Sequence, residues 1–159
     1  VTSAQAKAIG MVGVAAKASG LQCDVRKDLE ENSSFVPVYE NSGDVLARAK
    51  IRVAELRYSI TKAKEILADL PGGSPLPEAE STQKPLPGKV LAVSVTEAWR
   101  GELCHVFTTG EEGLFGECKI VDPSFHNWFG LALALRDQQI SDFPICNKSF
   151  NLSYCGHDL

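Results

Sequence analysis

The sequence predicts an α+β chain in which helices come first and a small three-stranded antiparallel sheet follows. Three observations predict this. Leu46, Val53, Leu56, Ile60, Ala63 and Leu67 recur at helical steps between Gly43 and Leu70. Three short apolar runs, two of them joined by Gly110 to Gly113, follow at strand length. Between the two patterns lies a Pro/Gly-rich stretch, Pro71-Gly72-Gly73-Ser74-Pro75 onward. The chain therefore divides into a helical part, 1–70, a linker, 71–88, and a part carrying sheet, short helix and tail, 89–159.

Each element has a local reason. Thr2 or Ser3 can cap an alanine-rich helix over Ala4 to Lys17, with Gly20 as a left-handed stop. Gly10 and Gly13 fall inside it; a glycine costs about 1 kcal/mol in a helix interior, so a close approach of another backbone is expected there. Leu21 to Ser42 reads as irregular. The long helix, Gly43 to Leu70, carries the apolar stripe, with Arg48, Lys50, Arg52, Arg57, Lys62 and Lys64 largely off it. The simplest reading of that basic set is a solvated face helped by Glu55 and Glu65, with an acidic partner as the alternative. Lys89 to Val95, Glu102 to Thr108 and Glu117 to Val121 read as strands. Asp122-Pro123-Ser124 ends the sheet and caps a helix from Phe125 to about Asp137. The segment from Ile140, with Phe143-Pro144, reads as irregular.

Bulk properties exclude several classes. The 159 residues are 44% hydrophobic with a net charge of −4, enough for one cored domain or a large piece of a bigger one. A pI near 5.4 gives no basic field for nucleic acid or an anionic membrane surface. No apolar run approaches the ~20 residues of a membrane span. Val1-Thr2-Ser3 has neither an initiator methionine nor a signal pattern and reads as the start of an excised segment. The cysteines (Cys23, Cys104, Cys118, Cys146, Cys155) are odd in number and scattered, which suits a reducing compartment.

Three stretches, in this order, carry a family resemblance. The first is Gly10-Met11-Val12-Gly13 through Ala18-Ser19-Gly20, followed by Asp24-Val25-Arg26. The second is Gly43-Asp44-Val45-Leu46-Ala47-Arg48. The third is Glu97-Ala98-Trp99-Arg100-Gly101-Glu102-Leu103-Cys104-His105, with Asp122-Pro123-Ser124-Phe125-His126-Asn127-Trp128 and Ile140-Ser141-Asp142-Phe143-Pro144 after it. The ordered set resembles the large subunit of nickel–iron hydrogenases. It is most similar to the energy-converting branch, which includes formate hydrogenlyase-type enzymes and the hydrogenase-like subunit of respiratory complex I.

The resemblance implies the carboxy-terminal half of such a subunit, folded as part of a hydrogenase-like helical bundle. It implies electron transfer to protons or quinone and an iron–sulfur small subunit among the partners of a membrane-associated complex. A cytoplasmic position, peripheral to the inner membrane through those partners, follows. This chain has no cluster motif of its own. Isolated from its complex, it is expected to expose apolar surface.

Site residues follow from the same resemblance. Family members place the arginine of the Glu-Ala-Pro-Arg-Gly turn over the nickel–iron centre, and Arg100 stands at that position with Glu97 as the acid of the same turn. Trp99 replaces the usual proline. From the residues alone, Arg100 pairs with Glu97 or Glu102 across the turn. Hydrogenases close with Asp-Pro-Cys-x-x-Cys, whose soft thiolates hold nickel and iron. Here the cysteine positions are Ser153 and Gly156, and sliding the register to use Cys155 leaves Leu152 as its partner. The resemblance thus implies a nickel–iron centre whose ligands are lost, and no metal or other cofactor is expected in this stretch. Cys155 with His157 and Asp158 is an incidental grouping rather than a half-site. His105 and Cys104, adjacent on one strand, face opposite sides, His105 structural or supporting a site residue and Cys104 a small core residue; a quinone chamber of the complex I kind would make Tyr154 or His105 the contact for the acceptor headgroup. Alternatives are a scaffold subunit, an active hydrogenase with an unusual terminal ligand set, and an independent module that would be a soluble monomer.

Overall fold

The structure, a computed structural model, describes residues 1–29, 35–70 and 86–159. Most of the predicted linker, 71–85, lies outside the described residues, as do residues 30–34 of the predicted irregular stretch.

The chain opens with α1 (Ser3–Ala8) and α2 (Gly13–Ala18). Thr2 caps α1 through a reciprocal box with Gln5. The sequence reading of one helix over Ala4 to Lys17 is corrected here. Gly10 adopts positive φ, and the amides of Gly10 and Met11 return to the carbonyls of Lys7 and Ala6. That is a Schellman closure, repeated at Gly20 with the amides of Gly20 and Leu21 on Lys17 and Ala16. The expected close approach holds at Gly13. A Cβ there would lie 2.3 Å from the Arg100 carbonyl oxygen and from Gly101 Cα.

A short α3 (Val25–Asp28), capped by the Asp24 carboxylate, interrupts the stretch predicted as irregular. The long helix is α4 (Val45–Asp69), begun by Asp44, whose Oδ1 accepts the Ala47 amide at 2.7 Å. Its buried face corrects the prediction. Ala47, Arg48, Ile51 and Glu55 are buried, whereas Leu46, Val53, Leu56, Ile60 and Leu67 stand exposed. Arg48 and Arg52 therefore leave the solvated face on which the sequence placed them. The Arg48 guanidinium lies 4.2 Å over the Phe150 ring. It donates to Ser149 Oγ and the Gly43 carbonyl at 3.0 Å each.

The sheet has the predicted order and sense: β1 (Leu91–Ala98), β2 (Gly101–Thr109) and β3 (Phe115–Val121), antiparallel neighbours. Ala98 pairs with Gly101, so Trp99 and Arg100 form a two-residue hairpin loop. Asp122 caps α5 (Pro123–Ala134), with Pro123 in the first turn. Beyond it, the segment predicted as irregular is ordered. A 3₁₀ turn, Ile140–Asp142, leads into α6 (Phe143–Phe150), then α7 (Tyr154–His157). Pro144 lies in the first turn of α6, where its missing N–H breaks no helical bond.

The main core draws Ala6, Met11 and Ala16 together with Leu131, Cys146 and Phe150, so both ends of the chain build it. A smaller cluster joins α2 to α4 through Val14, Ala18, Ala47 and Ile51. Among the described residues, no helix is long and apolar enough to cross a membrane.

Candidate functional site

The Arg100 hairpin is held from three sides. Gly13 packs under its backbone. Buried Asn127, on α5, exchanges hydrogen bonds with the Val12 amide (3.0 Å) and carbonyl (3.2 Å) and donates to the Arg100 carbonyl at 3.5 Å. The Arg100 side chain donates through Nε to the carbonyl of Asn151, a left-handed residue ending α6. Neither Glu97 nor Glu102 pairs with it among the described residues. The pairing expected from local sequence is thus replaced by a contact 51 residues away.

Glu97 lies instead in a buried ion cluster. The fully buried Lys17 ammonium sits 2.5 Å from Asp24 Oδ2, 2.6 Å from Glu55 Oε1 and 3.3 Å from Glu97 Oε1. Arg26 grips Asp24 with Nε at 2.9 Å and a terminal nitrogen at 2.7 Å, and reaches Glu55 at 3.4 Å. The Val25 amide donates to Glu97 Oε2 at 3.3 Å. Three carboxylates therefore share two cations.

The electrostatics divide the acids. Burial alone would raise Asp24, but hydrogen bonds from Arg26 and Lys17 outweigh it and hold the carboxyl below its usual range. Burial likewise works against charged Lys17, yet Glu55 and Glu97 overcome it and raise the ammonium. For Glu97, burial dominates and Asp24 adds repulsion, so its carboxyl is pushed up despite Lys17. A cleft of about 160 Å³ opens beside it, lined by Val12, Cys23, Asp24, Asp28, Glu97 and Glu102 among others. Burial, then the charge of Glu97, raises the Cys23 thiol.

The carboxy-terminal turn is also closely determined. Ser153 Oγ caps α7 by accepting the Gly156 amide at 2.9 Å, and the Ser153 amide donates to Ser124 Oγ at 2.9 Å. A Cβ at Gly156 would lie 2.6 Å from the Asp122 carboxylate carbon. Cys155 is exposed, and the His157 ring stacks on Phe125 with centroids 5.6 Å apart. No group of three metal-ligating side chains occurs among the described residues. His105 and Cys104 are both half-buried on β2; Cys104 pairs with Val95 and Val121 on the sheet rather than lying in the core.

The structure therefore joins Glu97 to Lys17, Asp24, Arg26 and Glu55, and Arg100 to Asn151, two residues before Ser153. Sequence reasoning missed Lys17, Glu55 and Asn127. Lys17 carried a usable signal. A lysine among the small and apolar residues Val14, Ala15, Ala16 and Ala18 requires partners if that helix is buried, and Asp24-Val25-Arg26 follows it closely.

Comparison of the sequence with known proteins places the chain in a family. Residues 1–91 match the family described as respiratory-chain NADH dehydrogenase, 49 Kd subunit. The carbon monoxide-induced hydrogenase of Rhodospirillum rubrum is 32% identical over 146 residues, covering 89% of this chain and 39% of that protein. An NADH-quinone oxidoreductase subunit of Syntrophobacter fumaroxidans is 28% identical over 147 residues, with the same coverages. A subunit of the F(420)H(2) dehydrogenase of Methanosarcina mazei is 31% identical over 113 residues, covering 65% of this chain and 30% of that protein. The shared class is the hydrogenase-like subunit of oxidoreductase complexes. This chain belongs to the 49 Kd subunit family of respiratory-chain NADH dehydrogenase. It spans about 39% of the length of the first two relatives.

Proposed function

We propose that this chain is the part of a hydrogenase-like large subunit that carries the Arg100 hairpin and the closing turn, and that the subunit serves electron transfer to quinone or protons without a nickel–iron centre. The observation that carries this reading is the turn at Ser153 and Gly156. Nickel and iron require soft, anionic thiolates at the two positions. One is a hydroxyl already engaged in capping α7, and the other has its side-chain space filled by the Asp122 carboxylate. This donor set does not fit the metal centre.

Relatives bearing both hydrogenase and NADH-quinone oxidoreductase names support a fold used with and without hydrogen as substrate. Arg100 and Glu97 are the residues of this chain proposed to act. Arg100 offers a permanent charge beside the closing turn, suited to a developing oxyanion. The partner is an iron–sulfur subunit, and the complex lies on the cytoplasmic face of the inner membrane.

The test is nickel and iron content, by elemental mass spectrometry, on the full-length subunit purified with its cluster-bearing partner. The expected result is no nickel, with iron matching the partner's clusters. Stoichiometric nickel would overturn the reading.

A further inference from the structure

We infer that Glu97 is a proton-exchange group, whose carboxyl takes a proton from solvent through the adjoining cleft and returns it there while Lys17 shifts between Glu97 and the other two carboxylates. The inference rests on the redox reading above only for the use made of the proton; the exchange itself is carried by the cluster.

Charge balance comes first. Among the described residues Asp24, Glu55 and Glu97 have only Lys17 and Arg26 within ion-pair distance, with Arg52 acting on Glu55 from farther off, so three carboxylates compete for two close cations. A buried unpaired carboxylate is relieved by protonation. Geometry then selects which carboxyl takes the proton. Asp24 is bound by Lys17 at 2.5 Å, by two Arg26 side-chain nitrogens and by the Arg26 amide at 3.1 Å. Glu55 holds Lys17 at 2.6 Å and is also within reach of Arg26. Among the described residues Glu97 makes two polar contacts, both at 3.3 Å.

Access is the second requirement. Glu97 has a side chain only 3% exposed, yet it lines the cleft beside Val12 and Gly13. About 160 Å³ is ample for water, which needs on the order of 10–15 Å³ by the same measure. The titratable groups facing Glu97 come from every neighbouring element. Lys17 faces it from α2, Asp24, Asp28 and Arg26 from α3 and its cap, Cys23 from the preceding loop, Glu55 from α4 across the shared Lys17, and Glu102 from the directly paired position on β2. Acids dominate this set, and burial with Asp24 raises the Glu97 carboxyl.

The step balances simply. An O–H bond forms at Glu97 from a cleft water's excess proton, and the same bond breaks when the proton leaves; no electron moves. Protonated, Glu97 releases Lys17 to Asp24 and Glu55. Ionised, it competes for Lys17. Glu97 is three residues from Arg100 on the same hairpin, so each exchange changes the charge beside that turn.

The test is infrared difference titration of the full subunit in its complex, comparing wild type with Glu97→Gln, Glu102→Gln and Glu55→Gln. A carboxyl C=O band should grow on acidification with a midpoint above the ordinary 4.5 of glutamate. It should be lost in Glu97→Gln and kept in Glu102→Gln. In Glu55→Gln its midpoint should fall, because Lys17 is freed for Glu97. A midpoint at or below 4.5, or a band persisting in Glu97→Gln, would overturn the inference. Should Glu97→Gln not fold, the Glu55→Gln titration decides: a lowered midpoint supports the assignment and an unchanged one overturns it. The titration is independent of the metal analysis. Nickel with a Glu97 band would sink the functional reading alone, and no nickel without that band would sink only the proton assignment.

Discussion

Lys17 has no exposed side-chain surface and three carboxylate neighbours, so its loss is costly. Lys17→Met leaves buried acids short of a cation; breaking a buried pair from one side costs about 3–5 kcal/mol. The urea midpoint should fall accordingly. The acids respond to pH with opposite signs. Asp24 has a lowered folded-state pKa, so its stabilisation is present above 3.8 and is lost as pH falls through the depressed value. Glu97 has a raised one, so its ionised form costs stability above that pKa, and acidification toward 4.5 relieves the cost. Urea midpoints between neutral pH and 4.5 should therefore rise on acidification by more in wild type than in Glu97→Gln. At the closing turn, Gly156→Cys brings a side chain against Asp122. Crowding of this kind costs about 1–3 kcal/mol, read as a lowered melting temperature, and Ser153→Cys/Gly156→Cys should not recruit nickel.

At the scale of elements, α4 organises the charged half of the site. One face, Ala47, Arg48, Ile51 and Glu55, packs inward, and Arg52 beside it donates to the carbonyls of Ser149 and Phe150. With Arg100 on Asn151, three successive carbonyls at the end of α6 receive guanidinium donors. Cations there also complement the negative end of the helix. Arg52→Ala should loosen this end by about 1.5–3 kcal/mol, the range for hydrogen bonds from a charged donor, and hydrogen exchange in α6 should accelerate before that in α5. The stripe on α4 shows why periodicity located the helix but not its buried face. Leu and Ile repeat regularly on the exposed side, whereas the packed side uses small Ala47, hydrogen-bonded Arg48 and ion-paired Glu55. Hydrophobicity alone ranks the second face as the solvated one. Similarly, the Gly10 closure is not distinguishable in sequence from a glycine tolerated inside a helix; the Gly13 contact with Arg100 and Gly101 sets it.

Across the whole molecule, large apolar side chains remain in water: Leu56, Ile60 and Leu67 on α4, Phe129 on α5, Ile140 and Ile145 near α6. A chain spanning 39% of its relatives leaves room for more subunit to cover such surface. Purified alone, the 159-residue chain should self-associate and bind an environment-sensitive apolar dye. Leu56→Glu with Ile60→Glu should reduce both effects, measured by light scattering and fluorescence.

The sequence by itself determined what short-range physics controls. The caps at Thr2 and Asp122, the left-handed stop at Gly20 and the three strands with their order all depend on bonds between near neighbours in the chain. The ordered motifs carried the family with them. Only the tertiary structure decided which charges are buried and what they touch. Lys17 meets Glu97 across 80 residues, Arg48 meets Ser149 across 101 and Val12 meets Asn127 across 115. The free energy of a charge depends on the groups that replace its water, and at these separations the fold chooses them.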